Sequence, residues 1–300
     1  MDLDADGRIV PYGSVRLVSI VDGGVLRWVT LRIVHSPDRP AQITDSASDD
    51  SRSARLVIVM PAYNAAKTLH RTYSDIPHDL VHKIILVDDV SQDETVEIAL
   101  QLGLDVIIHS QNRGYGGNQK TCYDAALLAG ADIVVMLHPD YQYDATRIPT
   151  LIAPIADGSR DLMLGSRFLG DPLAGGMPRY KYISNRVLTE IENLAFGLRL
   201  SEYHTGLRAY SRQLLETVPY HLNSDDFVFD QELIAQVIAA GMAGRIGEIA
   251  VPTRYFEEAS SVGFQRSIVY GLSTLKVVAR YLLHRLRVRR SPKLVARRRP

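Results

Sequence analysis

The chain has one cysteine, no long apolar run and no excess of either charge. The single cysteine, Cys122, excludes an intramolecular disulfide and fits a reducing, cytoplasmic compartment. No stretch approaches the roughly 18 uncharged apolar residues that a helix needs to span a bilayer. The acidic start, Met1-Asp2-Leu3-Asp4, lacks the basic region of a cleavable signal peptide. We therefore expect a cytoplasmic protein, attached at most to the inner face of a membrane.

The formal net charge at pH 7 is zero, so no global field attracts nucleic acid, and none is expected as a partner. The charge is nevertheless uneven, because no acid follows Glu258 while Arg is dense from Lys276 onward. With 46% hydrophobic and 23% charged residues, the 300-residue chain has the composition of a globular protein with a sizeable core. This length allows one large domain or two small ones.

Residues 1–54 differ from the rest and are interpreted as an N-terminal extension. Residues 15–20 and 25–34 flank Asp22-Gly23-Gly24, a pattern typical of a β-hairpin. Residues 35–54 are rich in Ser, Asp and Pro and predict a linker. No chemistry can be assigned to this region.

From Arg55 the pattern alternates between strands and helices. Short apolar strands are predicted at residues 56–60, 83–87, 105–109 and 131–137, with helices between them, one of which is predicted at residues 117–129. This spacing requires right-handed crossovers and a parallel sheet, so the fold class is α/β. Ligands of such sheets collect at the carboxyl ends of the strands.

The fourth strand runs directly into a polar segment. Pro139 cannot donate to a ladder, so the strand must stop at His138. His138, Asp140, Gln142 and Asp144 fall at alternate positions, which point the same way in an extended segment. Imidazole and oxygen ligands at a strand end suit a divalent cation that carries a diphosphate. The alternative is a polar turn in which Asp144 caps the next helix.

A glycine-rich loop, residues 111–118, follows the third strand. Its three glycines lie near Arg113 and precede a helix, so backbone amides there could approach a phosphate closely. The loop is neither a Walker loop nor G-x-G-x-x-G, which disfavours a Rossmann dehydrogenase. A flexible turn is the alternative. The acidic pair Asp88 and Asp89 at a neighbouring strand end favours a nucleotide-diphosphate site.

These segments resemble family 2 glycosyltransferases of the GT-A fold, on the branch of dolichyl-phosphate mannose synthase and other polyprenyl-phosphate glycosyltransferases. The resemblance covers about residues 55–270. The matching segments, in order, are Val59-Met60-Pro61-Ala62-Tyr63-Asn64, Val87-Asp88-Asp89-Val90-Ser91-Gln92-Asp93-Glu94-Thr95, Asn112-Arg113-Gly114, Asp140-Tyr141-Gln142, Gly165-Ser166-Arg167-Phe168 and Thr205-Gly206-Leu207-Arg208-Ala209-Tyr210.

The resemblance implies a GT-A-type, mostly parallel sheet flanked by helices, with residues 55–262 as the glycosyltransferase domain. It implies transfer of a sugar, with inversion, from a nucleotide-diphosphate sugar to an acceptor. The residues it implies for donor binding are Pro61, Tyr63, Asn64, Asp88, Asp89, Asn112, Arg113, Gly114, Arg167 and Arg208. A sugar-phosphate nucleotidyltransferase is disfavoured, because no Gly-rich signature with Arg and Lys follows the first strand.

The metal segment departs from the family pattern. Relatives commonly show D-x-D-x-Q, whereas this chain has His138 in place of the first acid, with Asp140 and Gln142 matching the rest. The resemblance implies that these three residues hold a divalent cation and that Asp140 is essential to catalysis. A neutral imidazole ligates Mn²⁺ readily while Mg²⁺ prefers oxygen, so Mn²⁺ is favoured over Mg²⁺. A non-catalytic nucleotide-sugar-binding protein remains an alternative because of His138.

The acceptor is left open. In family members that use a hydroxyl acceptor, a carboxylate near Glu232 acts as general base, and Asp225 and Asp230 are the candidates here. Capping of a helix by Asp225 or Asp226 is the competing role. A polyprenyl phosphate is already an anion and needs no base, whereas a saccharide hydroxyl does.

Residues 263–300 predict a long C-terminal helix and a basic tail. Apolar residues recur at helical spacing from Phe264, and Arg crowds the end. A basic amphipathic helix can lie on an anionic bilayer, which would hold the enzyme beside a lipid acceptor as a peripheral membrane protein. Alternatively, its apolar face packs on the catalytic domain or on a second copy of the chain, as a homo-oligomer.

Overall fold

The computed structural model describes residues 16–22, 25–31, 54–255 and 264–297. Strands β1 (Arg16–Asp22) and β2 (Val25–Leu31) pair antiparallel, with Asp22 opposite Val25, as a two-stranded sheet of their own. These strands overlap the two segments predicted to form a hairpin, and the predicted turn residues 23 and 24 lie outside the described residues. The predicted linker, apart from residue 54, and the boundary at residues 262–263 lie outside the described residues.

The central sheet has seven strands. In chain order they are β3 (Leu56–Ala62), β4 (Lys83–Asp88), β5 (Asp105–Ile108), β6 (Ile133–Met136), β7 (Leu162–Ser166), β8 (Arg208–Ser211) and β9 (Ile246–Ala250). Their order across the sheet is β5-β4-β3-β6-β8-β7-β9. Within this sheet only β8 runs antiparallel to its neighbours, β6 and β7. The α/β, mostly parallel GT-A-type sheet is therefore confirmed.

Helices cover both faces of this sheet. They are α1 (Ala66–Ser74), α2 (Thr95–Gln101), α3 (Gly114–Leu128), α4 (Ile148–Ala156), α5 (Arg179–Phe196), α6 (Arg212–Thr217), α7 (Phe229–Ala239) and α8 (Phe264–Arg285). The predicted C-terminal helix is confirmed as α8. None of the helices in the described ranges combines the length and the apolarity that crossing a membrane requires.

The uninterrupted apolar run of β3 is explained by two cores. Alternate residues of a strand face opposite sides of the sheet. Val57 and Val59 pack in one core with residues of α3, α7 and α8, while Ile58 and Met60 pack in the other with α1, α2 and α4. Each fully buried side chain of this size stabilises the fold by about 1.5–3 kcal/mol. A strand buried on both faces has no room for polar alternation.

The topology brings three strand ends and one strand start to a single edge. Strands β4, β3 and β6 are neighbours and parallel, so their carboxyl ends lie side by side. Because β8 is antiparallel to β6, its first residue, Arg208, pairs with Met136 near the end of β6. The segment before β8 therefore reaches the same edge as His138.

Candidate active site

A cavity of about 1780 Å³ lies over this edge of the sheet. Most of the predicted site residues line it, namely Pro61, Tyr63, Asn64, Asp89, Asn112, Arg113, Gly114, His138, Asp140, Gln142, Arg167, Asp225 and Asp230. Asp88 and Arg208 are not in its lining. Both are almost fully buried behind it.

Asp89 organises the loop that follows β5. One oxygen of its carboxylate accepts from the Arg113 amide at 2.8 Å and lies 2.7 Å from His109 Nδ1. The other oxygen accepts from the Gly114 amide at 3.0 Å, and the Asn112 side chain donates to the Asp89 carbonyl. The buried carboxylate thus fixes the cavity wall, and its direct contact with a donor stays a prediction.

The turn after β4 is strained and locked to the turn after β3. Val90 has φ of 68° and Asn64 has φ of 52°, and this left-handed region is unfavourable for a β-branched residue. The Asn64 amide donates to Ser91 Oγ at 2.9 Å, and the Gln92 amide donates to Asn64 Oδ1 at 2.7 Å. Asp88 accepts from the Ser91 amide at 3.0 Å. This acid therefore shapes the turn.

The glycines after β5 allow α3 to pack closely against residues 224–225. Helix α3 begins at Gly114, earlier than the predicted residue 117. A side chain on Gly114 would meet the Asp225 carbonyl oxygen, and one on Gly116 would collide with the Ser224 carbonyl oxygen. The amides of Gly114 and Gly116 are already bonded, to Asp89 and to the Asp225 carbonyl. The interpretation of these two amides as phosphate ligands is therefore corrected, because packing against residues 224–225 occupies them.

The segment after β6 is a turn, whereas an extended segment was expected there. Tyr141 has φ of 59°, and its ring lies between the guanidinium groups of Arg71 and Arg254, at 4.3 and 4.5 Å from the ring centroid. His138, Asp140 and Gln142 nevertheless line one cavity. The capping alternative holds for Asp144, which accepts from the amide and hydroxyl of Thr146 at the start of a short 3-10 helix.

Asp140 is the carboxylate best placed for a cation. Burial raises the pKa of Asp140 to about 6, and a hydrogen bond from the Gln142 amide at 3.0 Å opposes this shift only in part. Among the described residues no Lys or Arg lies within ion-pair distance of it. A desolvated carboxylate without a cationic partner fits a divalent cation. The described side chains contain no cluster of three or more His, Cys, Asp or Glu arranged to hold a metal. The fit therefore requires further oxygens from a bound diphosphate.

His138 belongs to a buried chain of contacts that the sequence did not reveal. Its Nε2 lies 3.3 Å from the hydroxyl of Tyr115, which donates to Asp230 Oδ2 at 2.7 Å. Asp230 Oδ1 lies 3.5 Å from the guanidinium of Arg208. Burial lowers the pKa of His138 to about 4, so the ring is neutral near neutral pH. Burial and the Asp230 carboxylate raise the pKa of Tyr115 well above its ordinary value.

The acids before α7 do not cap that helix. The N-cap position is Val228, with no side-chain hydrogen bond, so the capping alternative for Asp225 and Asp226 is wrong. Asp225 instead pairs with Lys120 at 2.7 Å, and its carboxylate is largely exposed at the cavity. Asp226 accepts from the amide of Phe227.

Two cationic side chains, Arg167 and Lys181, line the same cavity. Arg167 pairs with buried Glu202 and donates to the hydroxyl of Tyr255 at 2.8 Å. Lys181, on α5, lines the same cavity, and its partial burial together with nearby Arg167 lowers the pKa of Lys181. Sequence reasoning missed Lys181, because it lies in no matched segment. A lysine whose charged form is disfavoured by burial and by a nearby arginine marks a place suited to an anion.

The cavity opens onto exposed apolar surface. On α5, the exposed apolar side chains share one face, and we name Tyr180, Ile183, Val187, Ile191 and Leu194 the α5 stripe. On α8 and just beyond it, we name Ile268, Val269, Leu272, Leu275, Leu283 and Leu286 the α8 stripe. Members of both stripes line the cavity. Single exposed apolar residues are normal, whereas contiguous rows mark interaction surfaces.

The other side of α8 packs on the domain. Val277, Val278 and Tyr281 are buried in the core that contains α7. Arg280 and Lys293 both donate to Glu232 of α7, at 2.6 and 2.7 Å. The packing alternative for this helix therefore holds for one face, and the other face remains apolar and exposed.

A mostly parallel sheet whose strand ends gather acidic, imidazole and amide side chains around a large cavity defines a GT-A-type, nucleotide-sugar-binding enzyme. The chain belongs to glycosyl transferase family 2, whose sequence profile matches residues 57–218. It is a nucleotide-sugar-dependent glycosyltransferase.

Relatives and solved structures agree with this family. The UDP-N-acetylglucosamine–dolichyl-phosphate N-acetylglucosaminyltransferase of Methanococcus voltae is 29% identical over 245 residues, which cover 74% of this chain and 96% of that protein. The polyprenol monophosphomannose synthase of Mycolicibacterium smegmatis is 23% identical over 217 residues, with 68% and 81% covered.

Glucosyl-3-phosphoglycerate synthase from Mycobacterium tuberculosis in complex with UDP superposes with a TM-score of 0.61 at 17% identity, covering 76% of this chain and 80% of that one. Its complex with Mn²⁺ and UDP-glucose gives 0.58 at 21% identity, covering 77% and 79%. At these identities the likeness supports the GT-A fold.

Proposed function

We propose that this enzyme transfers a sugar from a nucleotide-diphosphate sugar to a polyprenyl phosphate, with inversion and with a divalent cation. The observation that carries the proposal is the continuity of the cavity. It runs from the polar strand ends at Asp89 and Asp140 to the apolar α5 and α8 stripes. An acceptor with an anionic head and an apolar tail matches both ends of such a cavity.

The cation would be held by His138 and Asp140, with Gln142 beside them. Bound there, it would neutralise charge that develops on the departing nucleoside diphosphate. Gln142 contributes a neutral oxygen or orients Asp140 through its amide. A solved relative of the same fold contains Mn²⁺ with UDP-glucose, and this supports a divalent cation here. Donor contacts are proposed for the predicted residues that line the cavity.

The acceptor phosphate would be held near Arg167 and Lys181. Both side chains line the cavity that also contains the donor end and members of the α5 stripe. An anionic phosphate oxygen can attack the anomeric carbon in line without a base. This agrees with Asp230, whose carboxylate is engaged by Tyr115 and Arg208. Two relatives are named for dolichyl-phosphate and polyprenol substrates, which supports this acceptor class.

The two stripes would rest on the membrane that contains the acceptor. Exposed Arg285 ends α8, and exposed Arg287, Arg289 and Arg290 follow it. Each basic residue near an anionic bilayer adds roughly 1 kcal/mol of attraction. The contact would be peripheral, with apolar side chains at the boundary between headgroups and acyl chains.

A saccharide hydroxyl is the second candidate acceptor, and Asp225 favours it. Its carboxylate is exposed at the cavity and paired only with Lys120 among the described residues. Such a carboxylate could take a proton from a hydroxyl.

The test is a matrix of donors and acceptors with the full chain. UDP- and GDP-sugars with Mn²⁺ are each combined with a short polyprenyl phosphate, its dephosphorylated alcohol and a saccharide, and both nucleotide release and sugar-labelled product are measured. We expect product only with the polyprenyl phosphate, and none in the Asp140→Asn variant. Product with the saccharide, abolished by Asp225→Asn, would replace the proposal by the second candidate. Nucleotide binding without product in any combination would favour the non-catalytic alternative.

A further inference from the structure

The hydrogen bonds of the Tyr115 hydroxyl determine which ring nitrogen of His138 carries the proton. The Tyr115 hydroxyl lies 2.7 Å from Asp230 Oδ2 and 3.3 Å from His138 Nε2. A hydroxyl has one proton to donate, and the Tyr115 hydroxyl donates it to Asp230 Oδ2. The oxygen of Tyr115 therefore offers only lone pairs to the imidazole. The contact is a hydrogen bond only when Nε2 of His138 carries the ring proton.

The Arg208 guanidinium faces the Asp230 oxygen that Tyr115 does not contact. The guanidinium lies 3.5 Å from Asp230 Oδ1 and is fully buried. It is held in place by the carbonyl oxygens of Thr205 and Tyr203, at 2.8 and 3.1 Å. An arginine does not deprotonate in proteins, so the charge opposite Asp230 is permanent.

Ring packing fixes the direction of the Tyr115 hydroxyl. The rings of Tyr115 and His138 are nearly parallel, with planes 12° apart and centroids 5.5 Å apart. Phe227 packs against Tyr115 with a centroid distance of 4.8 Å. The hydroxyl is thus held between Asp230 and His138.

We propose that Arg208, Asp230 and Tyr115 are positioning residues that hold His138 as the Nε2–H tautomer and so present its Nδ1 lone pair to the divalent cation. Among the described residues, none hydrogen-bonds Nδ1, and His138 lines the cavity beside Asp140. The cation half of this inference rests on the proposed function, whereas the tautomer is a property of the metal-free protein. The same geometry makes Asp230 a positioning group instead of a general base.

The ligand set that results has a defined preference. One carboxylate and one imidazole carry a single negative charge where two carboxylates would carry two. Nitrogen ligation is accepted by Mn²⁺ and disfavoured by Mg²⁺. A second partner that orients a metal-binding imidazole through its other nitrogen typically matters 10–100-fold in metal affinity.

The tautomer is tested first, by long-range ¹H–¹⁵N spectra of metal-free, full-length protein labelled at histidine. The signal of His138 is assigned by its loss in His138→Gln. We expect the Nε2–H pattern in the wild type. In Asp230→Asn the new amide can donate to the Tyr115 oxygen, which frees the hydroxyl proton for His138, and the pattern shifts toward Nδ1–H. A wild-type Nδ1–H ring, or an unchanged tautomer in Asp230→Asn, would overturn the inference.

Metal binding is tested separately, by Mn²⁺ paramagnetic resonance with and without UDP or GDP. Tyr115→Phe keeps the ring and its packing, and we expect about 10-fold weaker Mn²⁺ binding with unchanged metal-free nucleotide binding. The control is the same substitution made in the His138→Asp variant. That variant has no imidazole to orient, so adding Tyr115→Phe should reduce its Mn²⁺ affinity little. An equal loss in both backgrounds would show that Tyr115 acts only through packing. Wild-type protein with the Nε2–H ring but no Mn²⁺ binding would uphold the positioning and reject the cation role on which the proposed function relies.

Discussion

Asp140 lies in the cavity as a desolvated carboxylate, and this has a cost when no metal is bound. Its pKa of about 6 exceeds the ordinary 3.8, so the folded state holds the proton more tightly than the unfolded state. The free energy of unfolding therefore falls as pH rises between these two values and stays lower above them.

We accordingly expect Asp140→Asn to melt at a higher temperature than wild type in metal-free buffer near neutral pH, because the charge is gone. The difference should vanish below the unfolded pKa of about 3.8. The same variant should lose Mn²⁺-dependent nucleotide binding. Thermal melting across this pH range checks the first point and calorimetry the second, with exposed Asp171→Asn as control. A lower melting temperature at neutral pH would contradict the assignment.

Substitution of Asp89 should have a different effect from substitution of Asp140, because the Asp89 carboxylate holds the loop that forms the cavity wall. Asp89→Ala removes three acceptor contacts, to the Arg113 and Gly114 amides and to His109. Each buried, charge-assisted hydrogen bond contributes about 1.5–3 kcal/mol. We expect nucleotide affinity to fall at least about 10-fold together with a lower melting temperature. Asp161→Ala is the control for Asp89→Ala, because it loses contacts to Ser211 and Arg245 and does not line the cavity. An unchanged nucleotide dissociation constant in Asp89→Ala would show that Asp89 is only a turn residue.

Asp88, Asp89, His138 and Asp140, which sequence reasoning found, share a property that it could read. They follow apolar strands directly, and parallel strands place their ends at one edge. Tyr115, by contrast, meets Asp230 across 115 positions of the chain. Nothing in the local pattern around either residue encodes that contact, since it depends on how α3 packs against α7.

At the scale of elements, α3 and the loop before α7 fit together through Gly116. A methyl group there would collide with the Ser224 carbonyl oxygen and press on the side chain of Phe229. We expect Gly116→Ala to destabilise the fold by about 1–3 kcal/mol and to weaken nucleotide binding, because overpacking moves residues 224–225. Gly244→Ala is the matched control, since nothing lies within 4 Å of that position. The free energy of unfolding of both variants is measured by chemical denaturation. Equal values for Gly116→Ala and Gly244→Ala would show that the contact relaxes without cost.

The apolar stripes make a second prediction at this scale. Leu272 is 57% exposed, so Leu272→Asp should leave the melting temperature unchanged while it lowers co-sedimentation with anionic vesicles at low salt. Leu128 on α3 is 71% exposed, and Leu128→Asp serves as the control that should still co-sediment. Wild-type protein that ignores such vesicles would remove the main support for a lipid acceptor and favour a soluble one.

The strands and helices could be predicted from the sequence to different degrees. Strands β3 to β6 were predicted because each is a short apolar run that ends in polar residues or proline. The antiparallel direction of β8 was not predicted, since its four residues, Arg208–Ser211, carry no directional signal. Helix α3 was predicted to start three residues late, because glycines usually indicate a loop and here permit close packing.

For the whole molecule, the C-terminal region is part of the fold. Val277, Val278 and Tyr281 are core residues, and Glu232 is bonded by both Arg280 and Lys293. We expect a chain that ends after Lys276 to unfold at a markedly lower temperature, since each lost core side chain removes about 1.5–3 kcal/mol. Denaturant titration of this chain against full-length protein is the measurement. A truncated chain of full stability would show that α8 packs only loosely.

The opening of the cavity between the α5 and α8 stripes also bears on how the enzyme would meet its acceptor. An enzyme resting on a bilayer through these stripes would search for lipid in two dimensions. Its turnover would then follow the mole fraction of acceptor in the surface, and dilution with inert lipid would slow it while dilution with buffer would not. The water-borne donor would still arrive from bulk solution, so the two substrates would be sampled on different concentration scales.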